Sequence, residues 1–496
     1  MRTASSSQPY SILPKIHGIL LTCIVVLAIA FTSGCGSTTV SSAPPATPAS
    51  TSVTVLVSST VNDQFPRLGV SFTSIALTNK AGKTVSLFTS SQQNGQAIEF
   101  THVNGNAEPL AAVSIPQDVY TSATVNFGPL SSIFSCVAAN PDVPYGYEIY
   151  VNPPISQVAV NFPNPITVAG TAMGLSLNMH LSPTTGTSAC DGSVPLNATL
   201  SLAPTAISSE PTSSANGLET NLDGQVSILN TAGNDFVLTL ADGQTFPFKT
   251  NGSTLYQGVS GLSALTAGTF IDMDAAIQSD GSQLATRIAV EDANSTNITA
   301  ASGPVLSSFA NAPVVYAFGR QQQGYLLNPT QIGFFMPYDV SNAVFQISRQ
   351  FSNLQTLPFP ARFDTTSIFG GQNVYITTHA LNLGPNPTYF PASTLTLMPQ
   401  TINGTVTGIS TSGSFKIYSV ELAPYDLIPT LSTQSGMSYS LNNPNTVLVY
   451  VDGSTKLFNQ AQSLAVGGLL RFNGLLFDDD GTLRMDCGQV IDGVAE

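Results

Sequence analysis

Two stretches of this chain read alike: Leu222-Asp223-Gly224-Gln225-Val226 and Ile402-Asn403-Gly404-Thr405-Val406. Three further pairs follow them in the same order: Thr250–Leu255 with Val451–Lys456, Leu265–Ile271 with Leu464–Leu470, and Asp280-Gly281 with Asp480-Gly481. Ordered matches at nearly constant spacing indicate an internal repeat. The sequence therefore predicts two copies of one folding unit, over residues 218–296 and 401–496.

The first copy reads as five short strands. A hairpin turn at Asp242-Gly243 precedes the strand Thr245–Lys249, and Gly261–Leu265 is suited to one or two helical turns. Five strands with a small helix between the third and the fourth predict a Greek-key barrel of the OB type. We expect positive φ at Gly252 and Gly453 in turns, and we expect Gly268 and Gly467 to open the fourth strand. The Asp-Gly pairs 280–281 and 480–481 are expected to cap the last hairpin.

The segment 297–400 is a divergent third copy. It contains Gly303-Pro304-Val305 near its start and Ile368–Val374 where the other copies step from glycine into a strand. We expect a strand over Asn373–Thr377, with loops that differ from the other copies.

The segment 53–203 carries short alternating strands, such as Val53–Val57 and Arg67–Leu77, separated by turn residues. Regular short strands of this kind predict a β-sandwich. A linker, residues 204–217, separates it from the repeats. The predicted fold class is therefore all-β, with an N-terminal β-sandwich followed by three small OB-like β-barrel repeats.

Both parts resemble known families. The sandwich resembles the immunoglobulin- or transthyretin-like uncharacterised domain at the start of many bacterial lipoproteins, and the repeats resemble an uncharacterised family of tandem β-barrels in bacterial secreted proteins. Neither resemblance implies a known active residue.

Residues 1–34 are typical of a secretory signal, because the uncharged run Ile19–Phe31 follows a lead containing Arg2 and Lys15. The next residues, Thr32-Ser33-Gly34-Cys35-Gly36, resemble the lipobox of bacterial lipoproteins. That resemblance implies a lipidated Cys35 as the first mature residue, although Thr32 stands where the family usually has Leu. The alternative is ordinary cleavage after Ala28-Ile29-Ala30, which leaves Cys35 as a free thiol.

Residues 36–52 contain Ser, Thr, Pro and Ala but no charge, so residues 35–52 are predicted to be a lipidated cysteine and a disordered tether. This arrangement predicts a lipid-anchored location in the bacterial cell envelope. By the rule familiar from proteobacterial lipoproteins, Gly36 after the cysteine permits export to the outer membrane. The alternative location is secreted or periplasmic.

Only 8% of the residues are charged, and the net charge is −14. An acidic surface repels phosphate backbones, so nucleic-acid binding is disfavoured. The membrane, through the lipid anchor, and a glycan or envelope protein are the expected partners.

An exported location favours disulfides, and Cys136 and Cys190 lie in one predicted domain, so they are expected to pair. Cys487 is predicted to be a buried thiol. The histidines are scattered and no CxxC motif occurs, so neither a metal site nor another cofactor is predicted. The acidic run Asp478-Asp479-Asp480 lacks the closing carboxylate of a calcium loop and is interpreted as a turn.

No hydrolytic triad is recognisable, and we predict no catalytic residue. Tyr145, Tyr147 and Tyr150 are the candidate ligand-binding residues, because exposed tyrosines stack on sugar rings; their alternative role is at the edge of the sandwich core. The sequence predicts a non-catalytic lipoprotein that presents β-domains for a glycan or protein partner. The alternatives are a structural envelope spacer without a specific ligand and an enzyme of unrecognised type.

Overall fold

A computed structural model describes residues 49–59, 67–93, 95–99, 107–128, 133–136, 147–150, 156–183, 198–207, 218–240, 243–278, 280–292, 299–309, 312–322, 332–348, 354–378, 389–422, 428–429, 441–457 and 464–492. Strands dominate these residues, and this confirms the predicted all-β class. The short alternating segments form strands because one face of each is buried, as the alternation in Asp235–Leu240 shows.

The N-terminal part is a sandwich of two sheets. Its strands are β1 Ser50–Ser59, β2 Arg67–Asn79, β3 Thr84–Thr89, β4 Gln96–Glu99, β5 Ala107–Pro116, β6 Asp118–Phe127, β7 Ile133–Cys136, β8 Tyr147–Tyr150, β9 Gln157–Val168, β10 Ala172–Pro183 and β11 Ala198–Ile207. One sheet has the order β11-β10-β1-β5, and the other has the order β8-β7-β2-β6-β9, with β3 and β4 also paired to β2. Val55 and Leu177 of the first sheet share one buried core with Phe72 and Val125 of the second.

The repeats follow as three barrels. Barrel 1 consists of β12 Leu218–Asn230, β13 Asp235–Leu240, β14 Thr245–Lys249, β15 Leu255–Gln257, a 3-10 turn at Leu262–Ala264, β16 Phe270–Ile277 and β17 Gln283–Asp292. Barrel 2 consists of β18 Thr299–Phe309, β19 Ala312–Gln322, β20 Ile332–Asp339, β21 Val344–Ile347, a 3-10 turn at Leu354–Thr356, β22 Asn373–Thr378, β23 Phe390–Pro391 and β24 Thr394–Leu397. Barrel 3 consists of β25 Gln400–Ser412, β26 Phe415–Leu422, β27 Thr446–Val451, β28 Lys456–Leu457, β29 Leu469–Asp479 and β30 Thr482–Asp492.

All three barrels have the same strand order. It is β14-β13-β12-β16-β17-β15 in barrel 1, β20-β19-β18-β22-β24-β21 in barrel 2 and β27-β26-β25-β29-β30-β28 in barrel 3. If the short strands β15, β21 and β28 are left out, each barrel has five strands. The third strand pairs in parallel with the fifth in barrel 1 (β14 with β17) and in barrel 3 (β27 with β30), and this pairing closes each barrel. In barrel 2 the fifth strand is interrupted after Pro391 and consists of β23 and β24. Its first part, β23, makes the corresponding parallel pairing with the third strand, β20. The middle segment is thus a true third copy.

One backbone feature recurs in each barrel, where a glycine with positive φ precedes the fourth strand. Its amide donates a hydrogen bond of 2.7 Å to a valine carbonyl of the first strand, in the pairs Gly268 and Val226, Gly371 and Val305, and Gly467 and Val406. A β-bulge follows the same valine in all three first strands. These observations confirm the expected positions of Gly268 and Gly467 and the strand expected from Asn373.

The last hairpins also form as expected. Gly281 has φ of 74° between β16 and β17, and Asp480 and Gly481 both have positive φ between β29 and β30. The Asp478 carboxylate accepts a hydrogen bond of 2.7 Å from the Gly481 amide, and Asp479 lies 2.7 Å from Arg484. The acidic run therefore belongs to a tight turn.

The domains contact one another through buried surfaces. The Thr54 hydroxyl of the sandwich donates to the Gly281 carbonyl of barrel 1 at 2.7 Å. Phe270 of barrel 1 packs with Tyr375 of barrel 2. Between barrels 2 and 3, the rings of Phe359 and Tyr450 lie 4.8 Å apart.

Candidate ligand-binding site

A pocket of about 410 Å³ lies at one end of barrel 1, where the loop between β12 and β13 meets the residues after β14. Its lining is polar, and tyrosine is its only titratable side chain. The lining residues are Thr231, Asn234, Thr250, Asn251, Gly252, Tyr256, Leu262 and Ser263.

The loop between β12 and β13 forms one rim of the pocket. Asn234 has φ of 53°, a left-handed conformation that asparagine tolerates better than most residues. The Asn230 amide group donates to the Asp235 carboxylate at 3.1 Å across the base of the loop. The carbonyl of Asn234 then accepts a 2.7 Å hydrogen bond from the Thr250 amide. This rim is therefore preorganised by the chain itself.

The opposite rim is the turn at Asn251-Gly252. The Asn251 side-chain oxygen accepts a hydrogen bond from the Ser253 amide at 2.8 Å, and the Thr254 hydroxyl donates to the Ala285 carbonyl at 2.8 Å. The positive φ expected at Gly252 and Gly453 is wrong, because neither glycine has one. The turn is instead held by the Asx side chain, which leaves the glycine in an ordinary conformation.

Tyr256 and Leu262 supply the apolar wall. Tyr256 is half-buried and packs against the barrel core, while Leu262, in the 3-10 turn, is buried at the mouth of the barrel. A partly exposed aromatic ring beside hydroxyl and amide groups suits a neutral ligand that combines apolar faces with many hydrogen-bonding groups.

Barrel 3 does not share these features at the equivalent end. Its first hairpin turns through the two residues Gly413-Ser414, whereas the first hairpin of barrel 1 turns through the four residues Thr231–Asn234. Asp452 replaces Asn251, and Leu457, which is 40% exposed, occupies the register position of Tyr256. The pocket therefore arises from loop and side-chain differences on a common barrel.

A second feature of barrel 1 is a buried charged cluster on its outer face. Arg287 donates to Asp272 at 2.5 Å and to Asp274 at 2.9 Å. Asp223 and Glu291 lie in the same buried layer, because they point away from the barrel interior like Asp272. We call Asp223, Asp272, Asp274, Arg287 and Glu291 the acidic junction.

Burial raises the pKa of Asp272 to about 7 and the pKa of Glu291 to about 8. Neighbouring carboxylates raise both pKa values further, and Arg287 opposes them. Nearby, burial and the adjacent Glu108 hold the pKa of Glu219 well above its usual range. Raised carboxyl pKa values occur in acid–base active sites. Here, however, the Glu291 carboxylate accepts a hydrogen bond from Thr396 of barrel 2 at 3.0 Å, so the cluster lies in a domain contact rather than in a cleft.

The acidic junction is specific to barrel 1. In the strand pairing, Asp223 and Asp272 of barrel 1 correspond to Asn403 and Arg471 of barrel 3. The barrel fold therefore does not require these acids.

Several predicted site residues lie outside the described residues: Cys35, Tyr145 and Cys190. Cys136 ends β7, while Tyr147 and Tyr150 begin and end β8. The disulfide and the tyrosine site stay predictions. Cys487 is buried, as expected, and its burial raises the pKa of the thiol.

Within the described part of the chain, no group of three or more His, Cys, Asp or Glu side chains is placed to hold a metal ion. Nor does a helix there have the length and hydrophobicity needed to cross a membrane.

The comparisons with known proteins concern barrel 1 most directly. Residues 223–289 match the family described as a domain of unknown function, DUF5666. This match runs from the first strand to the fifth and includes the pocket and most of the acidic junction. Among solved structures, the chain is similar to "drosophila Unr CSD456", at 12% identity over 56% of this chain and 99% of that chain, with a TM-score of 0.13. No curated protein matches the chain.

Proposed function

We propose that the protein is a non-catalytic, lipid-anchored component of the bacterial cell envelope, and that it presents its β-domains to a ligand. The pocket of barrel 1 carries this proposal, because its rims are preorganised and the four-residue loop on one rim is replaced by a two-residue turn in barrel 3. A glycan fits the site better than a protein. The lining offers neutral hydrogen-bonding groups beside one tyrosine ring, whereas protein interfaces are broader.

A structural spacer is the second candidate function. It is favoured by the packed contacts between successive domains, such as those of Phe270 with Tyr375 and of Phe359 with Tyr450. A spacer requires these contacts but does not require the pocket.

The binding proposal is tested with the full mature chain, extracted in detergent, on an array of bacterial envelope glycans. We expect saturable binding of a neutral oligosaccharide. Tyr256→Ala is expected to weaken binding about two- to tenfold, because a well-placed aromatic contact contributes about 0.5–1.5 kcal/mol. The matched control is Tyr389→Ala, which removes a 43% exposed tyrosine from barrel 2 and is expected to leave binding unchanged. Absence of glycan binding, or equal losses in both variants, would favour the spacer.

The anchor and the disulfide are tested together by intact mass spectrometry of the membrane-extracted protein. We expect a chain that begins at an acylated Cys35. We also expect a mass two hydrogens below that of the reduced chain, because Cys136 and Cys190 are paired. The disulfide is expected to contribute about 4 kcal/mol on the chain-entropy model. An unmodified chain that begins at Phe31 would refute the anchor, and an unchanged mass after reduction would refute the disulfide.

A further inference from the structure

The hydrophobic core of barrel 2 continues into barrel 3. Core residues of barrel 2, such as Val305 and Leu397, belong to one buried cluster with four residues of barrel 3: Phe415, Tyr450, Leu475 and Phe477. Within β29, Leu475 and Phe477 belong to this cluster, whereas Leu476 between them belongs to the core of barrel 3. Successive side chains of a strand point to opposite faces, so both faces of this part of β29 are buried.

Barrel 1 differs from barrel 2 in this respect. Among the described residues, the cluster that fills the interior of barrel 1, around Phe236 and Met273, contains side chains of barrel 1 alone. The interior of barrel 1 is therefore complete without a neighbouring domain.

The segment of barrel 2 between β21 and β22 makes much of the contact with barrel 3. We call residues 354–372 the strap. The ring of Phe359 in the strap lies 4.8 Å from the ring of Tyr450 and 5.8 Å from that of Phe477. The guanidinium group of Arg484 lies 5.5 Å from the centre of the Phe359 ring and is held by Asp479 at 2.7 Å. Barrel 3 thus surrounds this aromatic side chain with two rings and a cation.

The end of the strap enters the core of barrel 3. Phe369 is fully buried and belongs to the core cluster of barrel 3 rather than to that of barrel 2. The buried Gln372 side chain accepts a hydrogen bond from the Phe369 amide at 2.9 Å and donates one to the Leu476 carbonyl of β29 at 3.0 Å. One side chain therefore fixes the strap and connects it to barrel 3.

Barrel 3 in turn packs on the backbone of the strap. A Cβ atom at Gly371 would lie 2.7 Å from the side chain of Ile428, a buried residue between β26 and β27. Gly467 has the equivalent position in barrel 3, and no described atom lies within 4 Å of a Cβ atom added there. The close approach at Gly371 is therefore a feature of the contact between the barrels and not of the barrel fold.

We propose that barrel 2 is a conditional domain, which folds and unfolds with barrel 3 as one cooperative unit through the strap. Unfolding of barrel 3 would expose Phe359 and Phe369 and would remove the partner of Gln372 on β29. The stability of a domain is a small difference between large terms, so the loss of several such buried contacts is enough to unfold it. Barrel 1 does not belong to this unit, and the inference is independent of the ligand pocket.

Native-state hydrogen exchange of the full chain in low urea tests this coupling. The slowest amides of β13, β22 and β26 report barrels 1, 2 and 3. In the wild-type protein, β22 and β26 are expected to exchange through one opening, with the same urea dependence, whereas β13 has its own.

One substitution in two barrels provides the matched comparison. Gly404→Ala places a methyl group against Val420 inside barrel 3, and Gly224→Ala places one against Leu238 inside barrel 1. Gly404→Ala is expected to speed exchange in β22 and β26 by the same factor, about tenfold or more, and to leave β13 unchanged. Gly224→Ala is expected to speed exchange in β13 alone.

Gln372→Leu tests the strap itself. This substitution removes the hydrogen bond to the Leu476 carbonyl, so it is expected to speed exchange in β22 and β26 together. Faster exchange in only one of these two strands, in either Gln372→Leu or Gly404→Ala, would overturn the proposal. An effect of Gly224→Ala on β22 would also overturn it, because the whole chain would then unfold as one unit. If Gly404→Ala does not fold, the wild-type protein decides, and different urea dependences for β22 and β26 would refute the coupling.

Discussion

Arg287→Met is expected to lower the free energy of unfolding by about 3–5 kcal/mol at pH 8, because removing one partner of a buried ion pair leaves the other uncompensated. Asp272 and Asp274 would lose the hydrogen bonds of 2.5 and 2.9 Å that Arg287 donates. The loss should be smaller at pH 5, where Asp272 is protonated. Urea unfolding at the two pH values measures both effects.

The matched control is Lys249→Met. It breaks an ion pair with Asp280 whose side chains are 56% and 62% exposed, so the expected loss is only about 0–1 kcal/mol. Adding Asp272→Asn to Arg287→Met should recover part of the stability. Equal losses for Arg287→Met and Lys249→Met would show that the acidic junction contributes no more than a surface pair.

Gly404→Ala is expected to destabilise barrel 3 by about 1–3 kcal/mol, because an added methyl group overpacks the barrel interior. A Cβ atom at this position would collide with the Val420 side chain and lie 2.7 Å from the Glu421 carbonyl oxygen. The equivalent Gly224 meets Leu238 in barrel 1, so the same substitution there should have a similar effect. Urea unfolding of each variant measures the loss.

Gly453→Ala is the control in the same barrel. Nothing lies within 4 Å of the added Cβ atom, and φ is not positive, so stability should be unchanged or should rise by up to about 1 kcal/mol. If Gly404→Ala were as harmless as Gly453→Ala, the close packing of Gly404 against Val420 would be wrong, and a loss at Gly404 without a loss at Gly224 would contradict the equivalence of these two glycines.

The barrels can be predicted from the sequence because the residues that identify them form turns and strand starts within short segments of the chain. Gly268 and Gly467 have positive φ and each precedes a strand, and the Asp-Gly pairs form the turn of the last hairpin. Each position is therefore constrained by its own backbone conformation. The middle copy is harder to recognise, because its fifth strand is interrupted after Pro391 and Ser302 stands where the other copies have Asp223 and Asn403. Only the pairing of β23 with β20 reveals its closure.

The candidate site could not be predicted in the same way. Asp272 and Asp274 alternate with the core residue Met273, a pattern that is typical of a solvent-facing strand. Barrel 2 packs against the face that carries Asp272 and Asp274 and buries it. The sequence of barrel 1 contains no pattern that indicates this packing. The pocket combines Asn234 and Asn251 with Tyr256, which become neighbours only when β15 joins the barrel.

The most direct test of ligand binding through barrel 1 is hydrogen exchange of the full chain, with and without a glycan that the array identifies. We expect slower exchange in residues 231–234 and 250–263, and no change in the equivalent residues 412–414 and 451–457 of barrel 3. Protection confined to other segments, or equal protection at both barrels, would contradict it.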